Sequence, residues 1–150
     1  MGSQDSPTQT VDFTTNIFNE PRQITVADAY ASDVDVVLFD GDCGDLLKNI
    51  PSDSVDLIIT SPPYNIGKKY EKKTSLESYL KDMEPVIAEL VRVTAETGSL
   101  CWQVGNYVEK GEVFPLDVYF YEIFKRFDLK LRNRIIWRFN HGLHLSLIHI

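Results

Sequence analysis

Ser61-Pro62-Pro63-Tyr64 ends an apolar run, residues 55–60 (VDLIIT), through a stiff corner. Each proline fixes φ and lacks an N–H. Ser61 precedes a proline and is pushed toward extended backbone. The Ser61 and Pro62 carbonyls therefore have few local donors. With the Ser61 hydroxyl they form a small, rigid set of hydrogen-bond acceptors. Such a set suits a group that presents N–H donors, such as an exocyclic amino group. Tyr64 beside it is a flat surface on which a base can stack, worth ~1–3 kcal/mol per base. Acceptors for an amino group next to an aromatic platform are what is needed to act on a base taken out of its duplex. Pro-Pro-Tyr also makes ordinary turns and partner ligands, so the tetrapeptide alone leaves open a non-enzymatic interaction module that displays it.

Few other residues compete for chemistry. Cys43 and Cys101 are far apart and lack metal-ligand spacing, which points to free thiols in a reducing compartment. His141 and His144 are three apart without a third ligand, which favours a loop role and no metal. Asp42 follows an apolar run and opens a short helical stretch, where a carboxylate can cap the helix or meet a ligand.

The net charge of −7 argues at first against a nucleic-acid partner. Its distribution changes that. Residues 1–64 carry 11 acids against Arg22 and Lys48, for −9, while residues 65–150 carry +2. The bases form two clusters, Lys68, Lys69, Lys72 and Lys73 just after the corner, and Lys125, Arg126, Lys130, Arg132, Arg134 and Arg138 later. Each is either a solvated face or a rim that contacts phosphate.

The elements that must position these residues read as alternating strands and helices. At 150 residues, 43% apolar and 25% charged, the chain has the size and composition of one soluble globular domain. No apolar run approaches the ~20 residues of a membrane span, and the first residues have neither a basic start nor an apolar segment. A cytoplasmic location is expected. Residues 1–33 are polar and mixed, and read as an N-terminal arm. Residues 34–40 (VDVVLFD) and 54–60 (SVDLIIT) have the continuous β-branched pattern of strands buried on both faces. Between them a short helix starts at Asp42 or Cys43 and ends before Pro51. Residues 75–95 form a helix capped by Ser75, with a stripe of Leu76, Tyr79, Leu80, Met83, Val86, Ile87, Leu90 and Val91, and with Pro85 as a potential kink. Gly98 ends that unit, and residues 99–105 are a third strand. Residues 115–127 read as a helix opening on proline. Residues 129–139 alternate, with Leu131, Ile135, Trp137 and Phe139 on one face and Lys130, Arg132, Arg134 and Arg138 on the other, as a fourth strand. Alternation of this kind predicts an α/β sheet with crossovers, whose ligands collect beyond the carboxyl ends of the strands. The corner at Ser61 and the Asp42 segment both take that position.

With the elements in place, strand-then-TSPPYN resembles the catalytic motif of the DNA amino-methyltransferases, which methylate adenine N6 or cytosine N4. Their motif, Asp/Asn/Ser-Pro-Pro-Tyr/Phe/Trp, is matched by Ser61, Pro62, Pro63 and Tyr64 at every position. The resemblance extends over about residues 36–144, through GDCGDLL, GSLCWQVGNY and RNRIIW…HGLH. It implies an α/β, Rossmann-like S-adenosylmethionine-dependent methyltransferase fold. It implies that Ser61 and the Pro62 carbonyl hold the target amino group and that Tyr64 stacks on the flipped base. Asp42, with Ser61, would lie on the side of the S-adenosylmethionine. Transfer would be direct and in line, without covalent intermediate or metal. Asn65, Lys68 and Lys69 are placed near phosphate by their position beside the motif. Double-stranded DNA is the implied partner, with a restriction endonuclease as a companion. The Ser form of the motif leans toward cytosine N4, with adenine N6 next. A methyltransferase acting on RNA or protein stays open.

The same family approaches the methionine part of the cofactor through a Gly-rich turn, typically Phe-x-Gly-x-Gly. The eight glycines here are 2, 41, 44, 67, 98, 105, 111 and 142, and no two are separated by one residue. That implies the permuted class, in which the catalytic part precedes a recognition region and the cofactor part. The chain is then expected to be a truncated, N-terminal fragment, with an arm at 1–33, the catalytic half at 34–144 and a non-native tail at 145–150. The tail's LSLIHI resembles the translation of a transposase-adapter sequence used in sequencing libraries. In the family's sheet order of 3-2-1-4-5-7-6, this chain would supply strands three to six, of which four and five alone are neighbours. Apolar edges would be left unpaired. The fragment alone is expected to bind S-adenosylmethionine poorly, methylate nothing and aggregate.

Overall fold

The structure, a computed structural model, describes residues 8–14, 21–67 and 72–137. It divides into two compact units, Met1–Pro51 and Ser52–Ile150.

The first unit departs from the expected arm. It contains strands β1 (Gln9–Thr14) and β2 (Pro21–Ala27), an antiparallel pair with Gln9 opposite Val26 and Thr14 opposite Pro21. β2 also pairs in parallel with β3 (Val36–Val37). Thr25 and Asp35 fasten that junction, since Asp35 Oδ2 accepts from the Thr25 N–H at 2.9 Å and from its hydroxyl at 3.0 Å. The strand expected over 34–40 is therefore two residues long and not buried. Leu38 is 68% exposed. Its N–H still reaches the Ala27 carbonyl at 2.9 Å, where the ladder with β2 ends. A strand lasts only as long as its neighbour, because its backbone groups need that partner. Helix α1 (Cys43–Leu47) follows, with Asp42 as its N-cap, one of the two roles left open for that carboxylate.

The second unit holds β4 (Val55–Thr60), α2 (Leu76–Val93), β5 (Thr94–Trp102), the hairpin β6 (Asn106–Glu109) and β7 (Glu112–Pro115), and α3 (Leu116–Arg126). β4 and β5 pair in parallel, with α2 as the crossover between them. These are the two strands expected to be neighbours. α2 matches its predicted span within two residues. Its N-cap is Ser75, whose hydroxyl accepts from the Ser78 N–H at 3.2 Å. Tyr79, Ile87, Leu90 and Val93 form its buried face.

β5 begins earlier than expected, directly after α2, so Gly98 lies inside the strand and does not end the helix. The β4–β5 register shifts between Val55 and Leu57. A Cβ on Gly98 would sit 2.9 Å from the Val55 and Ala95 carbonyl oxygens. Glycine is what lets the backbones approach there. Gly98→Ala is expected to cost about 1–3 kcal/mol by forcing the strands apart, read as a lower urea midpoint. An unchanged midpoint would mean that the irregularity relaxes freely.

The hairpin was not foreseen. It turns on Lys110 and Gly111, with φ of 51° and 82°, the mirror-image turn that suits strand twist. α3 was foreseen, and it buries Leu116, Phe120 and Ile123. Its Phe120 lies edge-on to Tyr79 at 5.8 Å and tilted to Trp102 at 5.2 Å. This aromatic cluster is the centre of the core.

Two expectations fail in this unit. β4 is not buried on both faces, since Leu57 is 54% and Ile59 is 74% exposed. The face of β4 that carries them is uncovered by the described residues. Residues 129–137 form no strand, and Leu131, Ile135, Ile136 and Trp137 are exposed. Their alternation encodes which side chains would share a face, but it supplies no neighbour to bond. Among the described residues, no helix is long and apolar enough to cross a membrane.

Candidate active site

The β4–β5 ladder reaches the motif itself. The Gln103 N–H donates to the Thr60 carbonyl at 2.9 Å, one residue before Ser61. Ser61 thus stands at the carboxyl end of a parallel strand, the position expected for it. Ser61 and Pro63 are exposed, Pro62 is buried and Tyr64 is half-buried. The corner folds back on itself, with 2.7 Å between Ser61 Oγ and the Tyr64 hydroxyl oxygen. Behind it, the buried Tyr79 donates its hydroxyl proton to the Pro63 carbonyl at 2.6 Å. The four motif residues are therefore one local cluster resting on the core through α2.

Asn65 has a structural job. It is 3% exposed, with φ of 59°. Its amide nitrogen donates to the Thr74 carbonyl at 2.8 Å, and its amide oxygen accepts from the Thr74 N–H at 2.8 Å. The side chain acts as an extra peptide that closes the loop from the motif to the α2 cap. This differs from the phosphate contact expected of it, for which a buried amide already held by backbone is poorly placed. Asn65→Ala removes both bonds and leaves a β-carbon in the left-handed region. The expected cost is about 1–3 kcal/mol, with Asn65→Gly recovering part of it by relieving the backbone. Equal melting temperatures for the Ala variant and the parent would contradict this clasp.

The hairpin braces the same loop. The Tyr107 hydroxyl donates to the Thr74 carbonyl at 3.3 Å, and Lys73 Nζ donates to the Val108 carbonyl at 2.9 Å. Lys73 also lies 4.9 Å above the Tyr107 ring. Burial, helped by the neighbouring Glu109, pushes the Tyr107 phenol above its ordinary pKa of 10.0. The phenol therefore stays protonated, and a donor, throughout the neutral range. Of the first basic cluster, Lys68 and Lys69 lie outside the described residues, and Lys73 is turned toward the hairpin. In the second, Arg126 pairs with Glu84 at 2.7 Å and Arg134 Nε with Asp117 at 2.7 Å. These pairs favour the solvated-face reading for those two arginines. Arg138, His141 and His144 lie outside the described residues.

Asp42 belongs to the first unit. Its Oδ1 accepts from the Gly44 N–H at 2.8 Å, the ordinary work of an N-cap. The described residues do not build a complete S-adenosylmethionine site. One carboxylate oxygen of Asp42 is already bound to its own helix, and no pair of glycines spaced by one residue offers a close backbone approach. Cys43 and Cys101 are free thiols, as expected.

Sequence reasoning found the corner but missed its supports, Tyr79, Thr74 and Tyr107. One signal was present. Asn65-Ile66-Gly67 places two residue types that tolerate positive φ just after the motif, and Gly67 has φ of 77°. The partners of Asn65 and Pro63, nine and sixteen residues away, had no local signal.

Comparison with known proteins follows the same residues. A family model described as DNA methylase, of the N6 and N4 type, matches residues 55–146. The type II methyltransferase M.BglII of Bacillus subtilis is 45% identical over 110 residues, covering 73% of this chain and 31% of that protein. The type II methyltransferase M.ScaI of Streptomyces caespitosus is 33% identical over 117 residues, covering 76% of this chain and 37% of that protein. The chain thus spans 31% and 37% of the length of these two curated relatives. Among solved structures, the cytosine-N4-specific PvuII DNA methyltransferase aligns with a TM-score of 0.46 at 24% identity, over 59% of this chain and 31% of that one.

Proposed function

The chain belongs to the N6/N4 DNA methylase family, and from that premise we propose that it is the catalytic part of an enzyme that methylates an exocyclic amino group of a base in double-stranded DNA. Cytosine N4 is the favoured target, on the Ser form of the motif, with adenine N6 as the second. The observation that carries the reading is the Ser61–Tyr64 corner, held at the carboxyl end of β4 and braced from behind by Tyr79.

In this reading the Ser61 hydroxyl and the Pro62 carbonyl accept hydrogen bonds from the two N–H groups of the amino group. They hold it in place and draw electron density onto its nitrogen. Pro62 and Pro63 keep these acceptors preorganised, so that little reorganisation accompanies the reaction. Tyr64 supplies the stacking surface for the extruded base. With 2.7 Å between the Tyr64 and Ser61 hydroxyl oxygens, an entering amino group takes the place of the phenol at Ser61. Lys68 and Lys69 are proposed to contact phosphate beside that base.

S-adenosylmethionine, which DNA methyltransferases of this family use, supplies the methyl group. Asp42 is proposed on its adenosine side. The methionine side is assigned to none of the described residues. The lengths of the relatives support a longer working protein, and the catalytic part alone is proposed to be inactive. A restriction endonuclease companion and a cytoplasmic location complete the proposal.

The test is transfer of labelled methyl from S-adenosylmethionine by the full-length enzyme, with plasmid DNA, RNA and protein offered together. Label in the DNA is expected. Label confined to RNA or protein would favour the other substrate classes. No transfer at all would favour a module that merely displays Pro-Pro-Tyr.

A further inference from the structure

Two prolines leave one freedom in the corner. They fix φ at Pro62 and Pro63, but ψ of Pro63 still turns the peptide that leads into Tyr64. The Tyr79 hydroxyl grips that peptide, donating to the Pro63 carbonyl at 2.6 Å. A peptide is planar, so an anchored carbonyl fixes the direction of the Tyr64 N–H and the placement of its Cα. Tyr79 itself has little freedom. It is 5% exposed, one turn into α2, and edge-on to Phe120 at 86°. A buried tyrosine needs a partner for its hydroxyl. Here the Pro63 carbonyl of the motif is such a partner.

We propose that Tyr79 is a positioning residue whose hydroxyl fixes the Pro63–Tyr64 peptide, and through it the aim of Tyr64 and its spacing from Ser61. The proposal rests on the methyltransferase reading for its purpose, but not for its geometry. Tyr79→Phe keeps the ring, its packing on Phe120 and the helix, and removes the hydroxyl's bond to the Pro63 carbonyl.

Two measurements on the full-length enzyme need no catalysis. Amide hydrogen exchange at Tyr64 and Asn65 is expected to quicken about three- to tenfold in Tyr79→Phe, with the interior of α2 unchanged. With 3-fluorotyrosine incorporated, the fluorine resonance of Tyr64, assigned by its loss in Tyr64→Phe, is expected to shift while that of Tyr119 holds. In the full-length enzyme, kcat should fall about tenfold from the misplaced platform, with KM for DNA within about twofold. An unmoved Tyr64 resonance with unchanged exchange would overturn the proposal. So would faster exchange spread evenly along α2, which would mark Tyr79 as packing alone. If Tyr79→Phe moves Tyr64 but the parent methylates no DNA, the functional reading fails and the positioning stands.

Discussion

Ser61→Ala in the full-length enzyme is expected to lower kcat for methyl transfer by about 10²–10³, the usual loss when one preorganised polar contact to a reacting group is removed. DNA binding should weaken by less than about threefold, because phosphate contacts dominate affinity and Ser61 makes none of them in this account. Folding should be untouched. Ser61 is exposed, alanine tolerates the extended backbone before Pro62, and among the described residues the side-chain bond lost is to the Tyr64 hydroxyl. Single-turnover transfer, filter binding and a thermal melt on the same preparations separate the three quantities. Full activity in Ser61→Ala would remove the hydroxyl from the mechanism. A matching fall in melting temperature would make it structural.

Phe120→Ala should give the opposite pattern. Phe120 is 1% exposed and touches both Tyr79 and Trp102. Truncating such a ring costs about 3–5 kcal/mol. That is a large part of the about 5–15 kcal/mol that holds an ordinary domain together. The expected fall in melting temperature is on the order of 10–20 °C. Because Tyr79 leans on Phe120, the variant should also loosen the corner before it unfolds, seen as early exchange at Tyr64. A midpoint within about 1 kcal/mol of the parent would place the core elsewhere.

The two variants mark what the sequence made legible and what it did not. The corner was legible because its chemistry is local. Four adjacent residues carry the acceptors, the stiffness and the platform. α2 and α3 were legible for a similar reason, since a helix writes its buried stripe every three to four residues. The strands were less so. A run such as residues 34–40 announces an extended, apolar segment, but its length as a strand was set by how far β2 runs beside it. Residues 129–137 have clean alternation and no neighbour among the described residues, and so no ladder. The pairing of β1 with β2 came from polar residues with weak periodicity, and nothing local advertised it. The β6–β7 hairpin had its signal, Lys110-Gly111 between two short arms carrying Tyr107-Val108 and Val113-Phe114, and it went unread.

The candidate site divides along the same line. Ser61, Pro62, Pro63 and Tyr64 could be named from spacing. The groups that hold them could not, because Tyr79 reaches Pro63 from the next helix and Thr74 reaches Asn65 across the loop. Tyr79 was predicted correctly as part of a helical stripe, yet its hydroxyl, the part that matters to the corner, has no periodicity. Asn65 shows how position can mislead. Next to the motif it suggested phosphate, whereas its burial and positive φ give it the closing of a loop.

The central claim is that the Ser61–Tyr64 corner presents an exocyclic amino nitrogen for methylation. Its most direct test is the position of the label on the base. DNA methylated by the full-length enzyme with labelled S-adenosylmethionine would be hydrolysed to nucleosides and separated, beside DNA treated with Ser61→Ala. The account predicts label in N4-methylcytosine, or failing that N6-methyladenine, and its near-disappearance in the variant. Label in 5-methylcytosine, which requires attack from a ring carbon and not from an amino group, would contradict it.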